Sequence, residues 1–144
     1  MKKTAKILSI LLMLALLVSS LISCREPEDP VTLWDSATYK EDVTLGSGAK
    51  TINVTVVVGE NTVVFTLKTD KDTVADALLE HSLVVGEVSE QFGLTLYSVN
   101  GMVADFTVDS AYWALYVNGE YALTGVSFIE VKDGDNIKIV YEKF

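Results

Sequence analysis

The chain has a single cysteine, Cys24, among 144 residues. No internal disulfide can form, so the fold must rest on its apolar core even in an oxidising compartment. Histidine also occurs once, at His81. A Ser-His or Cys-His pair would have that one base, and no nucleophile motif accompanies it. Glycine-rich phosphate loops are missing. The carboxylates are plentiful but scattered, and no pair is spaced as acid and base. These absences argue against an enzyme. Basic residues are scarce, 11 against 20 acidic, for a net charge of −9. Such a surface repels nucleic-acid phosphate and anionic headgroups, which excludes both as partners. The length suits one domain and is short for two.

What is present begins with a leader. Lys2, Lys3 and Lys6 precede an apolar run from Ile7 to Val18, followed by Ser19-Ser20-Leu21-Ile22-Ser23-Cys24. This is the layout of a secretory signal peptide. The run is short for a membrane span of ~20 residues. Arg25-Glu26, Pro27 and Pro30 then close off any helix. Leu21-Ile22-Ser23-Cys24 resembles the bacterial lipobox. That resemblance implies cleavage before Cys24 and a diacylglyceryl group on its thiol. Each acyl methylene buried in a bilayer contributes ~0.8 kcal/mol, and two chains suffice for stable anchoring. Cleavage would remove three lysines and no acid, taking the net charge three units further negative. The expected location is extracytoplasmic, lipid-anchored at the cell membrane or cell surface.

Three parts are expected: a signal peptide over 1–23, the lipidated cysteine and a flexible tether over 24–49, and a folded domain over 50–144. The tether is inferred from Glu-Pro-Glu-Asp-Pro, Gly46-Ser47-Gly48 and weak periodicity. Trp34 and Tyr39 stand out in it, either docking on the domain or lying near the membrane surface.

From Thr51 the pattern is that of strands. Ile52, Val54, Val56 and Val58 alternate with their neighbours, Gly59-Glu60-Asn61 interrupts, and Val63, Phe65 and Leu67 resume the alternation, predicting a hairpin. Asp72 or Thr73 caps a helix of at most three turns, with Val74, Ala77, Leu78 and His81 on its buried stripe. Glu87 to Gly93 is expected to be loop, and Leu94 to Val99 strand. Ala104 to Ser110 has no clear pattern. Tyr112 to Val117 is a strand, and Asn118-Gly119 a two-residue turn leading to a return strand over Glu120 to Leu123. A short strand or turn lies within Val126 to Val131. Lys132-Asp133-Gly134-Asp135 is a tight turn before the last strand through Ile137, Ile139 and Tyr141. One helix on a mixed sheet gives an α+β fold of the β-grasp kind.

Several of these stretches resemble the transcobalamin-like C-terminal domain family, DUF4430. They are Thr73 to Leu79, Ser98-Val99-Asn100-Gly101, Tyr112 to Tyr121, Thr124-Gly125-Val126 and Val131 to Asp135. Together they span roughly Lys50 to Phe144. The resemblance implies a β-grasp-like fold. It also implies that the Tyr112-Trp113 pair opens a strand at a ligand-facing end, since similar domains in animal vitamin B12 carriers form half of a clamp around cobalamin. The helical barrel forming the other half is missing here. Ubiquitin-like sulfur carriers share the fold plan but need a C-terminal Gly-Gly, where this chain has Lys143-Phe144.

The candidate ligand-binding residues are therefore Tyr112, Trp113, Thr124, Gly125 and Val126. Aromatic faces suit a large ring with a polar rim, such as cobalamin or another corrinoid. The structural alternatives are core packing for Tyr112 and Trp113, and a tight bend at Gly125. Tyr116 and Tyr121 are expected to meet across the hairpin as a stabilising pair. His81 could ligate a metal, but it also fits the end of a helix stripe near the negative dipole. Asp133-Gly134-Asp135 is only a fragment of a calcium loop, which needs six or more oxygens. No metal site and no required cofactor are expected. A corrinoid-binding lipoprotein would need a second capture protein or a transporter to cover the rest of its ligand. The alternative is a surface module for a protein or glycan, with no small-molecule ligand, using its acidic face or an open sheet edge.

Overall fold

The computed structural model describes residues 30–144. The leader, the lipobox and Cys24 lie outside the described residues. The elements in chain order are α1 (Pro30–Asp35), β1 (Val43–Gly46), β2 (Lys50–Val58), β3 (Asn61–Thr69), α2 (Val74–Glu80), β4 (Val84–Ser89), β5 (Gly93–Val99), β6 (Met102–Val103), β7 (Ala111–Val117), β8 (Glu120–Tyr121), a 3-10 turn (Val126–Phe128) and β9 (Asn136–Lys143). They form a six-stranded sheet in the order β1-β3-β2-β9-β7-β8 and a three-stranded sheet in the order β4-β5-β6. The fold is α+β, mostly sheet, with one main helix.

The β2–β3 hairpin forms because alternate residues are apolar on one face. Ile52, Val54, Val56 and Val58 are buried, as are Val63, Phe65 and Leu67 on the partner strand. Val58 pairs with Asn61, so the loop is Gly59-Glu60 alone. The final strand β9 runs parallel to β2, with Asn53 opposite Asn136 and Val57 opposite Val140. This parallel central pair is the mark of a β-grasp arrangement. Burying each such valine, leucine or phenylalanine contributes ~1.5–3 kcal/mol.

Helix α2 covers this face. Thr73 caps it: Oγ1 accepts from Asp76 N at 3.2 Å and donates to Asp76 Oδ2 at 2.9 Å. Val74, Ala75, Ala77 and Leu78 are buried. The helix is seven residues long, and His81 forms its C-terminal cap rather than extending the stripe. The His81 ring packs beside Gly46, where an added Cβ would stand 2.9 Å from Nε2. That Nε2 is buried with no hydrogen-bond partner, 3.8 Å from the Glu80 carboxylate.

The tether expected over 24–49 is also corrected, because from Pro30 onward the chain belongs to the domain. Leu33 and Ala37 are buried in the core, and Trp34, Tyr39, Val43 and Leu45 pack against it. Tyr39 meets Phe65 edge-on at 5.5 Å. β1 pairs in parallel with β3 and forms the sheet's edge. Trp34 and Tyr39 thus dock on the domain. A second correction concerns Glu87 to Gly93: Glu87, Val88 and Ser89 pair with Thr95, Leu94 and Gly93. A third is the return strand, which ends at Tyr121 rather than Leu123.

Candidate functional site

Strand β7 lies between β9 and the short β8. Its residues alternate faces: Trp113 and Leu115 turn inward with Tyr141 and Ile139, whereas Tyr112 and Tyr116 turn outward with Glu142 and Lys138. Trp113 is 7% exposed. Its ring meets Tyr141 at 5.6 Å, and Nε1 donates to Tyr97 O at 3.3 Å. That bond links the two sheets. Trp113 is therefore chiefly a core residue with one accessible edge.

Tyr112 is half-buried and its phenol donates to Glu142 Oε2 at 3.0 Å. Tyr116 donates to the other oxygen, Oε1, at 2.9 Å. One carboxylate thus holds two rings in fixed rotamers. The hydrogen bond to Glu142, then burial and the negative charge of the carboxylate, pushes the Tyr112 phenol up to about 12. The same bond raises Tyr116. Both phenols remain neutral donors at ordinary pH. Tyr116 also meets Tyr121 edge-on at 5.4 Å, across the Asn118-Gly119 turn, as the sequence predicts.

The edge of β7 opposite β9 is only half covered. Phe144 N donates to Ser110 O and Asn118 N to Asn136 O, so the even-numbered residues of β7 bond to β9. By the alternation of an antiparallel ladder, the odd-numbered ones point to the other edge. There Ala122 N donates to Leu115 O at 2.8 Å, and the ladder ends. The main-chain groups of Trp113 and Ala111 have no strand beside them.

A cleft of about 460 Å³ lies on that edge. β7 supplies Tyr112, Trp113 and Leu115; the segment after β8 supplies Leu123, Thr124, Gly125, Val126 and Phe128; the second sheet supplies Phe92, Leu94 and Leu96. All five residues expected from the sequence, Tyr112, Trp113, Thr124, Gly125 and Val126, thus line one concavity. Their roles differ. Val126 is buried and anchors the floor. Gly125 allows close approach, since a Cβ there would stand 2.9 Å from Phe92 O. Leu123 is 93% exposed on the rim. The lining carries no cation and no carboxylate. Ser127 Oγ accepts from Leu94 N at 2.9 Å and ties the cleft's two walls together.

A second cleft of about 460 Å³ continues past Tyr112, between Leu96, Tyr97, Val103, Phe106 and Ala111. A polar depression of about 740 Å³ adjoins Tyr121 and holds Glu120, Glu130 and Lys132. Among the described residues, no three His, Cys, Asp or Glu side chains converge as metal ligands. Asp133 and Asp135 are engaged by the turn, accepting from Thr51 N and Lys132 N. Sequence reasoning missed Phe92, Leu96 and Phe128. Only Phe92 carries a local signal, an apolar residue following Ser89-Glu90-Gln91.

The family model described as a domain of unknown function, DUF4430, matches residues 71–143. A solved structure of a candidate metal binding protein from Ruminococcus gnavus ATCC 29149 is similar at 30% identity and a TM-score of 0.61, over 66% of this chain and 98% of that one. Haptocorrin in complex with Cbi aligns at 19% identity and a TM-score of 0.48, over 69% of this chain and 27% of its own. No curated protein matches the chain.

Proposed function

The chain belongs to the DUF4430 family, and from that premise we propose that it is an extracytoplasmic lipoprotein, anchored through Cys24, whose β7 cleft captures a small amphipathic ligand. The observation that carries this reading is the convergence of Tyr112, Trp113, Thr124, Gly125 and Val126 on one apolar concavity bordered by unpaired main-chain groups. Apolar walls with a few fixed polar groups are the usual design of a small-molecule site. Tyr112 offers a flat face whose rotation Glu142 prevents. Trp113 N–H and C=O offer a donor and an acceptor along the strand edge. Such a set suits a planar ring with amide side chains, and a corrinoid such as cobalamin is the ligand class of choice.

A corrin ring is larger than this cleft. The ligand would lie across its mouth with its other face exposed, so a second capture protein or a transporter would complete the enclosure.

Titration of the folded protein with cobalamin and with cobinamide, followed by equilibrium dialysis, tests the ligand. Saturable binding that weakens in Tyr112→Ala supports it. No binding at high micromolar ligand, with and without envelope extract, removes it. Labelled palmitate incorporation in the host, lost in Cys24→Ala, tests the anchor.

A second reading is an interaction module for a protein or glycan. It is favoured by the bare edge at Trp113 and by the exposed Val85 and Val88 on β4, since open edges accept an added strand. Recovery of one dominant partner from envelope extract without ligand would select it.

A further inference from the structure

We infer that the exposed Phe106–Phe144 pair is a membrane-contact patch, which seats one end of the domain on the lipid surface that holds Cys24. This rests on the lipid-anchor reading given above and extends it to a surface of the folded domain.

The placement follows from strand register. β9 runs parallel to β2, and Val140 lies level with Val57. The end of β9 therefore lies level with the Gly59-Glu60 tip of the β2–β3 hairpin. Lys143 pairs with Ala111, and Phe144 N bonds to Ser110 O, which puts Phe144 and the start of β7 at that same end. Phe106 stacks on Phe144 with ring centroids 4.5 Å apart, and Tyr112 stands 6.5 Å from Phe144. Phe106 and Phe144 are 65% and 68% exposed. Two adjacent phenyl rings left in water on an acidic protein call for a partner.

The described chain starts at this end too. Pro30 Cβ lies 3.0 Å from where a Cβ on Gly59 would stand. Five residues separate Cys24 from Pro30, and the six steps between them, fully extended, reach at most roughly 21 Å. β2, nine residues long, measures about 30 Å. The turn Lys132–Asp135 lies at the opposite end of the sheet, where Gly134 N donates to Thr51 O. A lipid on Cys24 therefore stays near the hairpin tip and the phenyl pair, and the far turn points outward.

The occupant is a zwitterionic headgroup layer rather than an anionic one. Glu60, Asp105 and Glu142 lie at this end with Lys143 as the nearby cation, and the chain as a whole carries −9. An anionic surface would repel them, whereas phenyl rings partition into the boundary between headgroups and acyl chains. The main cleft lies on the other side of Tyr112 from Phe106 and so remains open to arriving ligand.

The test uses the full lipidated protein in phosphatidylcholine vesicles. Lipidation blocks Cys24, so Thr107→Cys or Lys132→Cys provides the sole thiol for an environment-sensitive fluorophore. The expected result is a blue shift and quenching by spin-labelled lipid at position 107, neither at position 132, and loss of both at 107 in F106S/F144S. Anionic vesicles should weaken the response at 107. Equal responses at the two positions, or none at 107 while the protein floats with the vesicles, would overturn this inference alone. Protein that carries a free Cys24 thiol and does not float would overturn the anchor reading, and this inference with it.

Discussion

Asn100 holds Tyr39 by both ends of its amide. Nδ2 donates to Tyr39 O at 2.8 Å, and Oδ1 accepts from Tyr39 N at 2.9 Å. Its own carbonyl accepts from Thr38 N. The side chain thus imitates a neighbouring strand for a segment 61 positions away. Asn100 is 1% exposed, with φ of 53°, a conformation asparagine tolerates better than most residues. Asn100→Ala should cost about 1–3 kcal/mol, because two partly buried main-chain groups lose partners. Urea unfolding would show a lower midpoint, with release of the segment from Pro30 to Tyr39 visible as increased amide exchange.

The Tyr112–Glu142 bond has a pH signature. An unfolded tyrosine ionises near 10, whereas folded Tyr112 does so at about 12. Between those values the unfolded chain binds fewer protons than the folded one, so stability falls as pH rises. The contribution is fully present below pH 10 and is lost as pH climbs through about 12. Glu142→Gln should bring the Tyr112 titration down towards the ordinary phenol range and flatten that slope. Ultraviolet tyrosinate absorbance and alkaline unfolding would measure the two effects.

Gly125 couples cleft shape to the packing of the Phe92 main chain. Its φ is −70°, so alanine is allowed at the backbone, but the new Cβ would press on Phe92 O. Because the atom it meets is main chain, Gly125→Ala should push the Phe92 segment aside, lower the unfolding midpoint and weaken ligand capture about tenfold, the equivalent of ~1.4 kcal/mol. Calorimetric titration beside a melting curve distinguishes the effects.

The cap of α2 is a further check. The helix is too short to stand without tertiary contacts, so Thr73→Ala should lower stability by about 1 kcal/mol. Thr73→Ser should restore most of it.

The hairpin, β7 and β9 are legible in the sequence because each has one wet and one dry face, and alternation records that difference. β4 is not, because only Val84 in it is buried; an edge strand with little to bury leaves no period. The docking of Leu33 and Ala37 was hidden, and that of Tyr39 left as one of two alternatives, for another reason. It depends on Asn100 and Phe65, and no local pattern reports a distant partner. At the cleft, the residues on β7 and the Thr124–Val126 segment were accessible through the resemblance. Phe92 and Leu96 were not, because the second sheet that brings them there begins with the unrecognised β4.

The brevity of β8 has a consequence for how such domains diversify. Two paired residues and the bond from Ala122 N to Leu115 O fix the hairpin, and the stretch from Leu123 to Gly125 lies beyond the ladder. Insertions there would reshape the mouth while leaving the frame around Phe65 and Ile139 untouched. One scaffold could thereby present many different rims, each suited to another guest.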